Sequence, residues 1–325
     1  MPTTIGDWLY GIDREGARLT YDRRALEAAA ADAVLGVPPD RLPLRLPKRR
    51  IESLNICPRR AVAEAHTPVD TSAEAMIVGR LVETAARMHL WGRYPAGDVE
   101  ALRTVLQEHS AARQVDLPEL DHEVWVDISE RADRFARSWS NPPAGLDVFV
   151  GERLSIPLAP DAQGRPGVVL TGVTDISIGS HRADAPHRPR AVLELKSGKM
   201  PTNPLDEMKW YQFVVAAADG FAPHRVAVWS ASPDDSSPTG LLADTPVTAG
   251  SLEAATRWVC DALALVGAIA AGEKPPERPS GWCRTCPDRS RCPSAAHGLA
   301  LSGPSSLDIA YPDDEDHERD NDDGA

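Results

Sequence analysis

Apolar residues recur at helical spacing through the first 140 residues of the chain. Residues three or four positions apart share one face of a helix, so this spacing predicts helices packed on a core. Thr71-x-x-Glu74 forms a capping box at the start of the clearest of them. The predicted helices cover residues 18–35, 56–65, 71–91, 99–113 and 129–140.

After residue 147 the pattern changes to short, β-branched, partly alternating runs. These predict strands over 148–158, 167–179, 190–196 and 226–230. A polar segment separates the second and third strands, so we expect them to pair as a hairpin. Helices follow over 204–218, with Asn203 as the expected N-cap, and over 251–271, closed by Gly272. The order predicts an α/β fold with a mixed central sheet and a helical N-terminal part.

Composition and charge narrow the class of protein. Of 325 residues, 42% are apolar and 26% charged, which excludes a wholly disordered chain, a collagen-like fibre and a small disulfide scaffold. The net charge is −13, but it is unevenly spread. Residues 312–325 hold eight acids and one Arg, whereas 41–60 hold seven Arg or Lys and one Glu. Nucleic-acid binding stays open, because phosphate contacts depend on local patches.

Neither a membrane span nor a secretory signal is predicted. The most apolar run, 262–271, is about half the roughly 20 residues that a span needs. The N-terminal segment is polar and charged. Five cysteines, four of them beside Arg or Pro, favour metal ligation in a reducing compartment over disulfides. We therefore expect a cytoplasmic protein.

Acidic residues and a lysine fall on two consecutive central strands. Alternation places Glu194 and Lys196 on one face of their strand, and the hairpin brings Asp175 alongside Glu194. Such carboxylates are costly to bury alone, and a divalent cation is their natural partner. Phosphodiester hydrolysis suits this set, because the metal and a lysine can neutralise charge at phosphorus. A Glu-x-Lys pair on a solvated strand face is the structural alternative.

Asp175 followed by Glu194-Leu195-Lys196 resembles the PD-(D/E)xK nuclease motif in its RecB-type form. Gly79-Arg-Leu-Val-Glu83 is similar to the upstream helical motif, with Glu83 where the family has His. Tyr211-Gln212 is similar to the Gln motif, although Ala216 replaces the usual Tyr. The alternative interpretations are an exposed helix acid for Glu83 and an ordinary polar helix residue for Gln212.

The resemblance implies a restriction-endonuclease-like core and a metal-dependent DNA exonuclease acting on single-stranded ends. Asp175, Glu194, Glu83 and the Leu195 carbonyl would bind Mg²⁺ or Mn²⁺, Lys196 would position or activate water, and Gln212 would contact the site or the DNA backbone. DNA repair, recombination or CRISPR spacer acquisition is the implied setting. A helicase or CRISPR adaptation proteins are the implied partners.

Three cysteines lie within ten residues, and a fourth ligand is needed. Cys283, Cys286 and Cys292 form the group, and Cys57 in a Cys-Pro-Arg-Arg sequence is the candidate fourth. Cys260 lies in an apolar helix and is predicted to be a core residue. A four-cysteine set can hold zinc or an iron–sulfur cluster. The order of one early and three late cysteines resembles the RecB-type nucleases with a [4Fe–4S] cluster, including AddB-type nuclease domains and CRISPR-associated exonucleases.

Three regions follow from these patterns. Residues 1–50 are predicted to be a helical extension and basic linker, 51–293 the nuclease domain with its C-terminal iron–sulfur segment, and 294–325 a disordered acidic tail. Basic residues beside the cysteines are predicted to gather into one DNA-binding surface, or to be scattered solubilising charge. These residues are Lys48, Arg49, Arg50, Arg59, Arg60, Arg284, Arg289 and Arg291. Two further readings stay open, a DNA-binding or assembly subunit with an idle nuclease site and a zinc protein with a coincidental acid/Lys pattern.

Overall fold

The structure is a computed structural model that describes residues 4–10, 19–67, 74–179, 191–198, 200, 204–231 and 237–301. Thr71, Asn203 and the loop of the predicted hairpin lie outside these residues, as does the acidic end of the chain. In the described part, no helix is both long enough and apolar enough to cross a membrane.

The described strands form one six-stranded mixed sheet. They are β1 (Leu44–Pro47), β2 (Asp147–Pro160), β3 (Pro166–Gly179), β4 (Ala191–Lys196), β5 (Arg225–Ser230) and β6 (Leu241–Pro246). The order is β1-β3-β4-β5-β6, with β2 paired to β3. β3 and β4 pair antiparallel, which confirms the predicted pairing, and Ile176 lies opposite Leu193. β4 and β5 are parallel, because a helix connects them.

Helices cover both faces of the sheet. They are α1 (Ile5–Tyr10), α2 (Arg23–Val34), α3 (Lys48–Ile56), α4 (Pro58–Ala65), α5 (Glu74–Leu90), α6 (Val99–Ala112), α7 (His122–Ser138), α8 (Pro204–Asp219), α9 (Ala249–Ala270) and α10 (Ala295–Leu301). One core lies between the sheet and α2, α3, α8 and α9. A second lies between the sheet and α1, α5, α6 and α7. The α/β prediction is confirmed.

The basic linker predicted at the end of residues 1–50 is wrong. Leu44–Pro47 is a strand of the sheet, parallel to β3, and the next residue begins α3. Leu46 is buried in the same core as α2 and α9. The sequence of this strand hides it, because it is four residues long and alternates apolar side chains with an Arg and a Pro.

Other element predictions also need correction, and α1 was not predicted. α7 begins at His122, seven residues before the predicted start. β6 was not predicted, because its run Leu-Leu-Ala-Asp-Thr-Pro is half polar. α10 lies within the tail predicted to be disordered, and it packs so closely that a Cβ on Gly298 would meet the Cys283 sulfur.

Candidate active site and cysteine cavity

The acidic site lies where two strands meet the same edge of β3. β2 occupies one edge of β3 along most of its length, so β1 and β4 share the other. β1 pairs with residues 168–171 of β3 and β4 pairs with 176–178. Residues 172–175 fall between the two ladders, which opens a gap in the sheet. Asp175 and Glu194 are the residues at which β4 parts from β3.

Asp175 replaces a missing ladder bond with its side chain. Its Oδ2 accepts a hydrogen bond from the Leu195 backbone N–H at 2.9 Å, and its Oδ1 lies 3.0 Å from Arg87 Nη2. Burial and the nearby charges of Glu194 and Glu83 nevertheless raise the pKa of Asp175 well above its ordinary value. The carboxyl is therefore held in place while its negative charge is only partly compensated.

Glu194 is 6% exposed and is surrounded by donors. Lys48 Nζ and Lys196 Nζ each lie 3.0 Å from its Oε1, and the Tyr211 hydroxyl donates to its Oε2. Burial alone would raise the pKa of Glu194, but the two ammonium groups and the Tyr211 hydroxyl lower it to about 2. Glu194 is a buried, ionised carboxylate in this arrangement.

Lys196 lies on the same strand face as Glu194, as the alternation predicts. Its Nζ also lies 3.3 Å from Glu207 of α8. Burial lowers the pKa of Lys196, but Glu194 and Glu207 outweigh it, so the net shift is upward. The side chain is thus a charged hydrogen-bond donor here, which favours holding a water or a phosphate oxygen over removing a proton.

Glu83 reaches the same site from α5. Burial is the first cause that raises its pKa, and the charge of Glu194 adds to it. Gly79, one turn earlier, lets α5 approach the end of β4, because a Cβ there would lie 2.9 Å from Ser197 Oγ. This close approach gives a physical reason for the Gly-Arg-Leu-Val-Glu pattern.

Gln212 is buried, at 3% exposed, and its Oε1 has no hydrogen-bond partner among the residues that the structure describes. Its neighbour Tyr211 is the residue that bonds Glu194. The described contacts therefore bring Tyr211 to the carboxylate, and none joins Gln212 to it. A role for Gln212 at the site stays a prediction.

The sequence does not predict that several further side chains contact the acids of the site. Lys48 was interpreted as a DNA contact, yet its Nζ bonds Glu194 and Glu207. Arg87, Glu207, Tyr211 and Glu52 were not considered as partners of the acids. Each helix contributes two site residues four positions apart, and this spacing was the available signal. The pairs are Lys48 and Glu52 on α3, Glu83 and Arg87 on α5, and Glu207 and Tyr211 on α8.

The charge of this network leaves room for a divalent cation. Ion pairs of 4.0 Å or less join five carboxylates to three cations, a net charge of −2 when all are ionised. Carboxylate oxygens are the ligands that Mg²⁺ and Mn²⁺ prefer. Within the described residues, no three His, Cys, Asp or Glu side chains are close enough together to hold one metal ion. Lys48, Lys196 and Arg87 occupy the carboxylate oxygens in this arrangement.

The four predicted cysteine ligands line one cavity. Cys57, at the junction of α3 and α4, meets Cys283, Cys286 and Cys292 from the segment after α9. None of them forms a disulfide. Cys260 lies apart on α9, against the first core, as predicted. In this arrangement no three of these described cysteines are close enough together to hold one metal ion, so the cluster stays a prediction.

Comparison with protein families gives the superfamily. The family model described as the PD-(D/E)XK nuclease superfamily matches residues 48–293, about three-quarters of the chain. The chain belongs to the PD-(D/E)XK nuclease superfamily. The match begins at Lys48, which the structure places at the acids. It bears out the restriction-endonuclease-like fold, and members of the superfamily use divalent metals such as Mg²⁺ or Mn²⁺.

The other comparisons are remote. A crystal structure of a protein from Eubacterium rectale, described as a candidate exonuclease, is similar with 12% sequence identity and a TM-score of 0.43. The similarity covers 83% of this chain and 93% of that one. No curated protein matches.

The basic residues beside the cysteines of this superfamily member are largely used inside the structure. Arg59 lies 2.6 Å from both Asp288 and Glu277, and it donates to the Arg291 carbonyl at 2.7 Å. Arg60 bonds Glu64 and lies over the Trp282 ring at 4.7 Å. These two arginines join α4 to the cysteine segment. Because their guanidinium groups are already bonded within the protein, fewer basic side chains are left for the predicted DNA-binding surface.

Proposed function

We propose that this protein is a metal-dependent exonuclease of the RecB type that hydrolyses phosphodiester bonds at single-stranded DNA ends. One observation carries the proposal: Asp175, Glu194 and Lys196 converge at the gap between β1 and β4, within a chain of the PD-(D/E)XK superfamily. A solvated Glu-x-Lys pair does not account for this geometry, because Glu194 is buried and bonded on both oxygens.

The metal ligands in this proposal are the carboxylates of Asp175, Glu194 and Glu83 and the Leu195 carbonyl. With every carboxyl ionised, the network has two uncompensated negative charges, which fits one divalent cation. A bound Mg²⁺ or Mn²⁺ supplies Lewis acidity and neutralises charge on the phosphate.

The side chains of the protein have separate tasks. Arg87 and the Leu195 N–H orient Asp175, while Lys48 and Tyr211 orient Glu194. Lys196 donates a hydrogen bond to the attacking water or to a phosphate oxygen as its negative charge grows. Fixed donors of this kind lower the barrier because they need no rearrangement during the reaction.

The cysteine cavity holds a [4Fe–4S] cluster in this proposal, with Cys57, Cys283, Cys286 and Cys292 as its ligands. The cluster would close a loop of more than 200 residues, which removes entropy from the unfolded chain. Its role is structural: it fixes the segment after α9 against α4. Zinc is the alternative occupant, and the measured ratio of iron to zinc decides between them.

The nuclease domain is proposed to span residues 51–293 together with the strand β1 and Lys48. Its setting is DNA repair, recombination or CRISPR spacer acquisition, with a helicase or CRISPR adaptation proteins as partners. These assignments rest on the family resemblance of the Asp175, Glu194-Leu195-Lys196 and cysteine motifs.

Linear and circular DNA distinguish the proposed activity from its alternatives. Protein purified without oxygen is incubated with Mn²⁺ or Mg²⁺ and with single-stranded or duplex DNA in each form. The proposal predicts degradation of linear single strands and survival of circular ones. Cleavage of circles would identify an endonuclease. Binding of DNA without cleavage in either metal would identify a binding or assembly subunit.

A further inference from the structure

An exposed tryptophan lies at the end of the helix that carries Glu83. The Trp91 side chain is exposed, with 46% of the residue accessible. Its backbone N–H still donates to the Arg87 carbonyl at 3.2 Å, as in an α-helix. Glu83, Arg87 and Trp91 are four residues apart in turn, so they follow one face of α5. Arg87 Nη2 lies 3.0 Å from Asp175 Oδ1. The indole is therefore about one helical turn, roughly 5.4 Å along the axis, beyond a side chain of the acidic site.

The backbone at Trp91 is fixed by the way α5 ends. Gly92 has a φ of +67°, its N–H bonds the His89 carbonyl at 3.0 Å, and the Arg93 N–H bonds the Met88 carbonyl at 2.9 Å. This pair of hydrogen bonds is the Schellman motif, which needs glycine at the left-handed position. The exposed ring thus projects from a well-defined helix end.

The surroundings of Trp91 are aromatic and basic. His109 of α6 lies with its ring 6.5 Å from the indole, tilted by 42°. Burial lowers the pKa of His109, and the nearby Arg113 and Arg87 lower it further. The exposed indole therefore lies beside an imidazole that is close enough to Arg113 and Arg87 to feel their charges. Aromatic rings beside cationic groups are the combination with which proteins hold single-stranded nucleic acids.

We infer that Trp91 is a stacking platform for an unpaired base next to the phosphate held at Asp175 and Glu194. The charges of Arg113 and Arg87, which act on His109 beside the indole, make them candidate contacts for the adjoining backbone phosphates. The inference rests on the proposed function and deepens it, because it names a feature that favours single strands. A base within a duplex has both faces covered by its neighbours, so it cannot stack on the indole without leaving the helix.

Binding measurements with a modified ligand test the inference. The probes are a fluorescent oligothymidylate, the same oligomer with an abasic tract, and a blunt duplex. Ca²⁺ replaces Mg²⁺, and anisotropy gives each dissociation constant. Trp91→Ala should weaken oligothymidylate binding by about 5-fold or more, since base stacking is worth ~1–3 kcal/mol. Trp91→Phe should retain most of the affinity. Tyr10→Ala, which removes another exposed aromatic ring, should leave it unchanged.

The abasic probe separates stacking from phosphate contacts. If Trp91 stacks on a base, wild-type protein binds the abasic oligomer more weakly than oligothymidylate. Trp91→Ala then binds the abasic oligomer as well as wild type does. Equal loss on every probe, or unchanged binding of oligothymidylate by Trp91→Ala, overturns the inference. A parallel cleavage assay of wild-type protein keeps the two proposals apart. If wild-type protein cleaves DNA but Trp91→Ala does not change oligothymidylate binding, only the inference about Trp91 is wrong. If wild-type protein does not cleave DNA, the proposed function is wrong.

Discussion

At the level of single residues, the buried charge of Glu194 explains why the site needs Lys48. Glu194 is 6% exposed, and a buried carboxylate is costly unless cations and hydrogen-bond donors surround it. Lys48 and Lys196 meet it at the same oxygen, and Tyr211 meets the other. Lys48 is also bonded to Glu207, so it joins α3 to α8 across the site.

Lys48→Met tests this compensation. Methionine keeps much of the apolar stem but removes the charge, so Glu194 and Glu207 lose one partner each. We expect the free energy of unfolding to fall by about 1–3 kcal/mol, and Mn²⁺ to restore part of it because the ion replaces lost positive charge. Thermal unfolding with and without Mn²⁺ measures both. The control is Arg23→Met, which breaks an exposed pair with Glu27. Equal, small losses in both variants would contradict the account.

The sequence predicts the acids of the site better than their partners. Alternation along β4 and the pairing of β3 with β4 place Asp175, Glu194 and Lys196 together, because both rules act within a few residues. The contacts of Lys48 and Arg87 depend on how α3 and α5 cross the sheet, which a single sequence does not encode locally. The same limit applies to Tyr211, whose hydroxyl reaches Glu194 while Gln212 does not.

At the level of elements, the close approach of α5 to the end of β4 sets the position of Glu83 and Arg87. Gly79 permits it, since an added Cβ would meet Ser197 Oγ at 2.9 Å. Helix α3 has a comparable role, because it begins at the acids with Lys48 and ends beside Cys57.

Gly79→Ala is expected to displace Ser197 or α5 and to lower cleavage by up to about 100-fold, the effect that a displacement near 1 Å can produce. Adding Ser197→Gly removes the clashing side chain and should restore most of the activity. Gly250→Ala on α9 is the control, because no described atom outside its own stretch of helix lies within 4 Å of its added Cβ. Full activity in Gly79→Ala alone would show that the close approach does not matter for the site.

The elements themselves follow from the sequence to an unequal degree. Long periodic segments such as α5, α8 and α9 were predicted to within a few residues at their ends. The sequence did not predict β1 and β6, because each is short and bears polar or Pro residues. These edge strands are stabilised by neighbours distant in the chain, so local patterns carry little of the signal.

At the level of the whole molecule, contacts around the cysteine cavity join distant parts of the chain. Arg59 of α4 bonds Glu277, Asp288 and the Arg291 carbonyl. The Arg59 N–H also bonds the Pro276 carbonyl at 3.2 Å. The four cysteines lie beside these bonds, so side chains and a bound cluster would hold the same two segments.

Cys57→Ala is expected to give colourless protein with almost no iron, and with a lower unfolding temperature, when purified without oxygen. The reason is that the variant loses one of four ligands and the cross-link between distant segments. Iron and zinc analysis together with visible absorption measures the outcome. Cys260→Ala, which changes a cysteine away from the cavity, should keep its iron. Normal iron in Cys57→Ala would refute the ligand assignment.

Arg59→Ala should loosen the segment that follows α9. The backbone amides of this segment, residues 276–294, are expected to exchange with deuterium faster than in wild type. The reason is that three side-chain contacts of Arg59 are lost. Exchange in α5 and α8 should stay the same. Arg291→Ala is the matched control, since this exposed Arg bonds only Asp288 among the described ion pairs. Faster exchange of the segment in the control but not in Arg59→Ala would contradict the account.

The central claim is that Asp175, Glu194 and Lys196 form the catalytic site of a metal-dependent nuclease. The most direct measurement is cleavage of end-labelled single-stranded DNA with Mn²⁺ by wild-type protein, Glu194→Gln and Lys196→Met. Glu253→Gln and Lys274→Met, both at exposed positions, are the matched controls. The account predicts cleavage by wild type and the controls, and a loss of at least about 100-fold in both site variants. Undiminished cleavage by Glu194→Gln or Lys196→Met would contradict it.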